Sequence, residues 1–305
     1  FLATSGVLAL RTQGGINLDV GSIKTNAENE SARVVWVYSF GKSGSSTLQE
    51  FIVNASVGEN KPFALFEPCH IGDSSDFANC SEEMASLMNC DFEKMHVLAM
   101  WNFSFHTDSP YSPSAATSLC QQANVRVFKT IHTHDIRADL EFVGARVENL
   151  RIINILRDPR GTYLSAKASD MVENAMDSLM PTNMGMSLQS TERGEQNFLS
   201  GPDYIRYLCQ TMEHFHHMWH ERVMTVRFED LLLKGQDIMP EILEFLGLES
   251  QEDLEARVNE VYPAMSLSEV QEIDHLNSEM TAEEKDAFAS PECLAALKAW
   301  DYLDE

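Results

Sequence analysis

Val34-Val35-Trp36-Val37-Tyr38-Ser39-Phe40-Gly41-Lys42-Ser43-Gly44-Ser45-Ser46-Thr47 is the stretch whose reading decides the fold. Its first five residues are apolar and mostly β-branched or aromatic, the pattern of a strand buried on both faces. The run stops at a turn rich in glycine and serine, and Leu48, Phe51, Ile52 and Ala55 then recur at helical spacing from Ser45 onward. Strand, turn and helix therefore follow one another within a few residues. A turn of this kind presents backbone N–H groups together with the positive end of a helix dipole, a natural seat for a phosphate-like anion. Lys42 adds a full charge to it. The nucleoside triphosphatase loop GxxxxGK[ST] is disfavoured because Trp36 stands where its first glycine belongs.

The same grammar repeats downstream. Val125–Lys129 reads as a strand, 135–147 as a helix, Leu150–Leu156 as another buried strand, and 159–169 as a helix with proline in its first turn. Alternating strands and helices imply an α/β fold with a central parallel sheet flanked by helices. Further on, 204–219 reads as an amphipathic helix, 223–228 as a strand ending at Glu229-Asp230, and 238–246 as a helix closed by Gly247. Residues 1–31 read as a tail or linker and 32–305 as one domain. Within that domain, a Met-, Asn- and Ser-rich segment near 170–201 is expected to be a mobile insertion, and an acidic region spans 249–305. Leu294, Leu297 and Trp300 are expected to dock a final helix.

The second strand carries the second signal. Leu150–Leu156 runs into Arg157-Asp158-Pro159-Arg160, with Ser165 about two turns along the next helix. A triphosphatase places an aspartate at such a strand end to hold magnesium; here an arginine stands there, with a fork of donors suited to phosphate. Two anion seats at the carboxyl ends of neighbouring parallel strands suit a nucleotide with phosphates at both ends.

The chain has 305 residues, 22 basic and 47 acidic, for a net charge of −25. That balance excludes nucleic acid as the main ligand. Sixteen acids and three bases lie between Glu249 and Glu305, whereas eight bases and five acids lie between Val125 and Lys167. A basic island in an acidic chain suggests an anion site. No apolar run reaches the roughly 18 residues of a membrane span; the short apolar start 1–10 is either the edge of a removed signal anchor or a flexible terminus. Cys69, Cys80, Cys90, Cys120, Cys209 and Cys293 show no zinc spacing, and the four between Cys69 and Cys120 permit one or two disulfides or buried thiols. Asn29, Asn54, Asn79 and Asn102 head Asn-x-Ser sequons, which favour the secretory route. His214, His216, His217 and His220 lack the carboxylate partner of a metal motif, so no metal is expected.

With these motifs in order, the sequence resembles the sulfotransferases over roughly 34–248, most closely the Golgi carbohydrate 6-O-sulfotransferase branch. The resemblance rests on Gly41-Lys42-Ser43-Gly44-Ser45-Ser46, Phe66-Glu67-Pro68, Phe128-Lys129-Thr130, Leu156-Arg157-Asp158-Pro159-Arg160 and Val226-Arg227-Phe228-Glu229-Asp230-Leu231. It implies a P-loop-like nucleotide-binding fold and a donor, 3′-phosphoadenosine 5′-phosphosulfate, leaving as the 3′,5′-bisphosphate without a metal. It also implies donor contacts from Gly41, Lys42, Ser43, Gly44, Ser45, Ser46 and Thr47 at the 5′ end, and from Arg157 and Ser165 at the 3′-phosphate. Lys42 would stabilise the departing bisphosphate, and Glu67 or His132 would deprotonate the acceptor. Carbohydrate members often carry arginine where Lys42 stands, and the cytosolic branch's Arg-Lys-Gly signature is absent here. The acceptor expected is a carbohydrate hydroxyl, the alternatives being a small-molecule hydroxyl or amine, a nucleotide-dependent kinase, or a non-catalytic anion-binding relative. The setting expected is the Golgi lumen or secretory pathway, the alternative the cytoplasm.

Overall fold

Five short runs of apolar residues form one parallel sheet in the computed structural model: β1 (Arg33–Ser39), β2 (Phe63–Phe66), β3 (Val125–Thr130), β4 (Leu150–Leu156) and β5 (Val223–Arg227), in the order β2-β3-β1-β4-β5. The structure describes residues 32–56, 62–66, 80–93, 112–131, 136–168, 201–216, 220–248, 254–262, 265–273 and 280–303. All of them belong to the unit Ser31–Glu305. β1 is central, and its side chains alternate between two cores because successive residues of a strand point to opposite faces. Val34, Trp36 and Tyr38 enter one core, Val35 and Val37 the other.

Helices cover both faces. Against the Val35 face lie α1 (Ser45–Ala55), the long α7 (Phe228–Leu246) and α8 (Leu254–Val261). Against the Trp36 face lie α2 (Cys80–Met88), α3 (Pro113–Gln122), α4 (Ile136–Gly144), α5 (Pro159–Ala168), α6 (Gly201–His216), α10 (Ala282–Phe288) and α11 (Pro291–Ala299); the short α9 (Leu267–Ile273) follows α8. β1 connects forward to α1 on one face and β4 to α5 on the other. The crevice between β1 and β4 is therefore the point where the winding reverses, the place where open parallel sheets bind ligands.

Polar bonds tie the carboxyl ends of the strands together. Trp36 Nε1 donates to Thr130 Oγ1 at 3.0 Å, and Ser39 Oγ donates to the Thr130 carbonyl at 3.2 Å. On the other face, the buried Gln49 amide of α1 donates to the carbonyls of Leu65 and Val127. Disulfides join Cys90 to Cys120 and Cys209 to Cys293. The first falls in the cysteine-rich stretch; the second, from α6 to α11, is not anticipated by sequence spacing.

The elements match the sequence reading closely, with instructive shifts. Phe228 is not the end of β5 but the first residue of α7, so Glu229 and Asp230 occupy a helix's first turn. α7 continues to Leu246 through a break at Lys234 (φ −138°, ψ 29°) and is closed by Gly247 at φ 65°. α6 begins at Gly201, three residues ahead of the expected start; the rest of the expected 170–201 insertion lies outside the described residues. In α11 the docking side chains are Cys293, Ala296 and Leu297, while Leu294 is 43% exposed, contrary to expectation, because it falls on the outer side of the helix. Trp300 does dock, its indole N–H donating to the Met212 carbonyl at 2.9 Å. Among the described residues no helix is long and apolar enough to cross a membrane.

One buried carboxylate helps to join the acidic C-terminal region to the core. Glu284 closes a capping box with Thr281 and also accepts from Tyr163 Oη at 2.6 Å and Lys167 Nζ at 2.7 Å, both on α5. Burial alone would raise its pKa, but hydrogen bonds from Lys167, Tyr163 and the Thr281 N–H outweigh that and hold it below the usual carboxylate value. A lowered folded-state pKa contributes stability above the unfolded value of about 4.3, lost as pH falls through the folded value. Glu284→Gln is thus expected to lower the urea midpoint at pH 7, with the deficit shrinking toward zero as pH is brought below 4; a pH-independent deficit contradicts this account.

Candidate functional site

The turn after β1 is shaped by its own backbone. Lys42 adopts φ 67° and Gly44 φ 84°, both left-handed. For lysine that conformation costs about 1 kcal/mol, a strain that clusters at binding sites. Gly44 cannot be replaced freely, because a Cβ there would lie 2.4 Å from two ring carbons of Phe228. Ser43 is buried and donates its hydroxyl back to the Phe40 carbonyl at 2.7 Å, so its side chain closes the turn. Ser45 is buried, whereas Lys42, Ser46 and Thr47 are exposed.

Gly44 is the N-cap of α1 and supplies no side-chain cap, and α1 has no acidic residue in its first turn. A helix start so built leaves its N–H groups to an external acceptor. Two further cations converge on it. Lys129, at the end of β3, is 1% exposed; its ammonium donates to Ser46 Oγ at 3.0 Å and sits 3.6 Å from the Phe66 ring centroid. Arg157, 6% exposed, donates from its guanidinium to the Lys42 carbonyl at 2.7 Å and lies 5.1 Å from the Phe228 ring centroid. The turn after β1 and the residue after β4 thus meet at the carboxyl edge of the sheet. Ser165 lies half-buried on α5, which starts two residues after Arg157.

The other candidates stand apart from this geometry. Glu67 and His132 lie outside the described residues; Phe66 and Thr130, one and two positions before them, close the adjacent strands β2 and β3. Of the basic island, only Lys129 and Arg157 reach the turn. Arg126 instead donates to the carbonyls of Cys120 and Met88, Arg146 stacks on Phe142, Arg151 faces Phe245, and Arg160 grips Asp158. The sequence signal for Lys129 is a lysine next to the end of a strand whose other residues are mainly apolar. His216 packs edge-on to Trp300, and His220 Nδ1 accepts the Arg222 N–H. Among the described residues no group of three or more His, Cys, Asp or Glu could hold a metal. A cleft of about 570 Å³ lined by Arg137, Leu140, Glu141, Gly144, His220, Glu221 and Arg222 includes residues just ahead of β4 and β5, at the sheet's opposite edge.

A family model, the sulfotransferase domain, matches residues 32–292 of this chain. The chain belongs to that family. Similar solved structures include the sulfotransferase domain of the Synechococcus PCC 7002 olefin synthase, 12% identical over 90% of this chain and 98% of that one, with a TM-score of 0.45. The sulfotransferase domain from the curacin biosynthetic pathway is 14% identical over 90% of this chain and 99% of that one (TM-score 0.46). A mouse sulfotransferase complexed with PAP is 12% identical over 89% and 88% (TM-score 0.44). None of the curated protein sequences matches the chain. Membership makes the protein a transferase of sulfuryl groups, and sulfotransferases in general take them from 3′-phosphoadenosine 5′-phosphosulfate.

These residues suit such a donor: a helix start without a side-chain cap, the buried cations Lys129 and Arg157 beside it, Lys42 in the turn, and a glycine whose missing Cβ leaves room for Phe228. In this sulfotransferase Gly44→Ala is expected to cost about 1–3 kcal/mol, from φ strain and ring displacement together. Adding Phe228→Leu should recover the ring part only. Urea unfolding of the single and double variants measures the split, and a neutral Gly44→Ala would overturn it.

Proposed function

We propose that this sulfotransferase moves the sulfuryl group of 3′-phosphoadenosine 5′-phosphosulfate onto a carbohydrate hydroxyl within the secretory pathway. The observation that carries the reading is the Arg157 hydrogen bond to the Lys42 carbonyl, which brings the β1 turn and the β4 exit together at one cation-lined edge of the sheet. The N–H groups at the start of α1, with Ser46 and Thr47, take the 5′ end; Arg157 and Ser165 take the 3′-phosphate. When bound, the donor supplies an activated sulfuryl group, and transfer to the hydroxyl is in line, governed by positioning and charge stabilisation.

Lys42 has an exposed side chain above the turn and neutralises charge that grows on the departing bisphosphate. Lys129, buried against Ser46 and the Phe66 ring, adds a fixed positive charge to the same edge of the sheet. Glu67 or His132 takes the acceptor proton, each joined closely in sequence to the end of β2 or β3. Magnesium-dependent kinase chemistry is disfavoured by the same strand exit. Asp158, the carboxylate nearest the position of a magnesium ligand, is gripped by Arg160 through bonds of 2.6–3.1 Å. The two disulfides and the four sequons support an oxidising compartment. The net charge of −25 favours a neutral acceptor over a sulfated one and supports a second reading, a small-molecule hydroxyl or amine.

Calorimetry with adenosine 3′,5′-bisphosphate lacking magnesium, and with ATP plus magnesium, tests the donor; tight metal-independent binding of the bisphosphate is expected, and preference for ATP would sink the proposal. A screen with labelled sulfate donor against neutral glycans and small hydroxyl or amine compounds tests the acceptor. Lys42→Ala should lower turnover about 10²–10³-fold with little change in bisphosphate affinity. Arg157→Ala should weaken the bisphosphate itself by about 10–100-fold. Indistinguishable behaviour of the two variants in paired kinetics and calorimetry contradicts the division of roles.

A further inference from the structure

Arg157 is followed by Asp158, the last residue before α5, whose placement is fixed by residues far away in sequence. The Asp158 N–H donates to Glu229 Oε1 at 2.6 Å, and Glu229 is 5% exposed. The second oxygen of the same carboxylate, Oε2, accepts from Tyr302 Oη at 2.8 Å. The Tyr302 carbonyl in turn accepts from Arg160 Nη2 at 2.9 Å, and that guanidinium grips the Asp158 carboxylate. Asp158, Glu229, Tyr302 and Arg160 thus close a ring of hydrogen bonds, with Arg227 held 4.4 Å from the Tyr302 ring centroid. The ring stands immediately behind the residue that donates to the Lys42 carbonyl. Phe228, next to Glu229, is itself packed between Gly44 and Arg157.

Each bond of the ring is of the costly kind to break. An N–H buried between a strand and a helix needs an acceptor, and a buried carboxylate needs donors on both oxygens. Burial and the Glu229 charge hold the Tyr302 phenol well above its ordinary pKa, so it remains a donor throughout the working range. The hydroxyl of Tyr302 is the member that can be removed without altering shape or charge.

We propose that Glu229 and Tyr302 are positioning residues for Arg157: through the Asp158 N–H they aim its guanidinium and so set how strongly the enzyme discriminates nucleotides by their 3′-phosphate. This rests on the reading of Arg157 as the ligand of that phosphate. Neither residue is among those assigned to the nucleotide itself. A displacement of the guanidinium by a fraction of an ångström is enough to spoil a forked contact, because such contacts are short and directional.

The test is calorimetric titration of the whole chain with adenosine 3′,5′-bisphosphate and with adenosine 5′-monophosphate, in wild type, Tyr302→Phe, Glu229→Gln and the double variant. Wild type is expected to favour the bisphosphate. Tyr302→Phe should reduce bisphosphate affinity about tenfold, the value of a hydrogen bond to a charged group, while leaving monophosphate affinity unchanged. Steady-state kinetics should show the same loss in the donor KM with kcat retained. Glu229→Gln keeps an acceptor for the Asp158 N–H and should fall between wild type and a full loss; the double variant should be no worse than the poorer single one. Equal weakening of both nucleotides, or none in either, would overturn the positioning role. A wild type indifferent to the 3′-phosphate would instead overturn the Arg157 assignment, and this inference with it.

Discussion

One charge-assisted hydrogen bond, from the Arg157 guanidinium to the Lys42 carbonyl, holds the working edge of this molecule together. It is possible only because β1 and β4 are neighbours in register, with Ser39 opposite Ile155. The turn it supports carries a non-glycine residue in the left-handed region, a conformation that persists where its surroundings over-determine it. Arg157 supplies one constraint, the inward Ser43 hydroxyl a second, and Phe228 against Gly44 a third.

The sheet was legible because its strands are local signals: Val34–Tyr38 and Leu150–Leu156 are apolar runs bounded by turn residues, and their ends in the structure differ from the reading by one residue or none. The glycine turn and Arg157 were legible for the same reason. What the sequence concealed is long-range. That the lysine ending Val125–Thr130 faces Ser46 follows from β3 lying beside β1, a fact of sheet order rather than of spacing. Phe228 reads as a strand's last residue by its neighbours and becomes a helix's first because Glu229 turns inward to meet Asp158. The basic island was misleading in the opposite sense. Most of its arginines satisfy carbonyls or stack on rings, work that charge counting cannot separate from anion binding. The base candidates Glu67 and His132 rest on sequence position alone.

The acidic region from Glu249 onward is a mixture of two things. Among its described residues Glu269, Glu283, Asp286, Glu292 and Asp301 are exposed. Within it, Glu284 and Tyr302 reach back to α5 along one stripe of that helix, where Arg160, Tyr163 and Lys167 succeed one another at intervals of three and four. The helix bearing Ser165 is therefore braced by the C-terminal region. A region that looks dispensable by charge density is a structural support of that helix.

The bond between Cys209 and Cys293 places a temporal condition on that support. During vectorial synthesis α6 emerges 84 residues before its covalent partner, so the sheet can be complete while the brace is still in the ribosomal tunnel. The bracing of α5 is then completed later than the collapse of the strands it leans on.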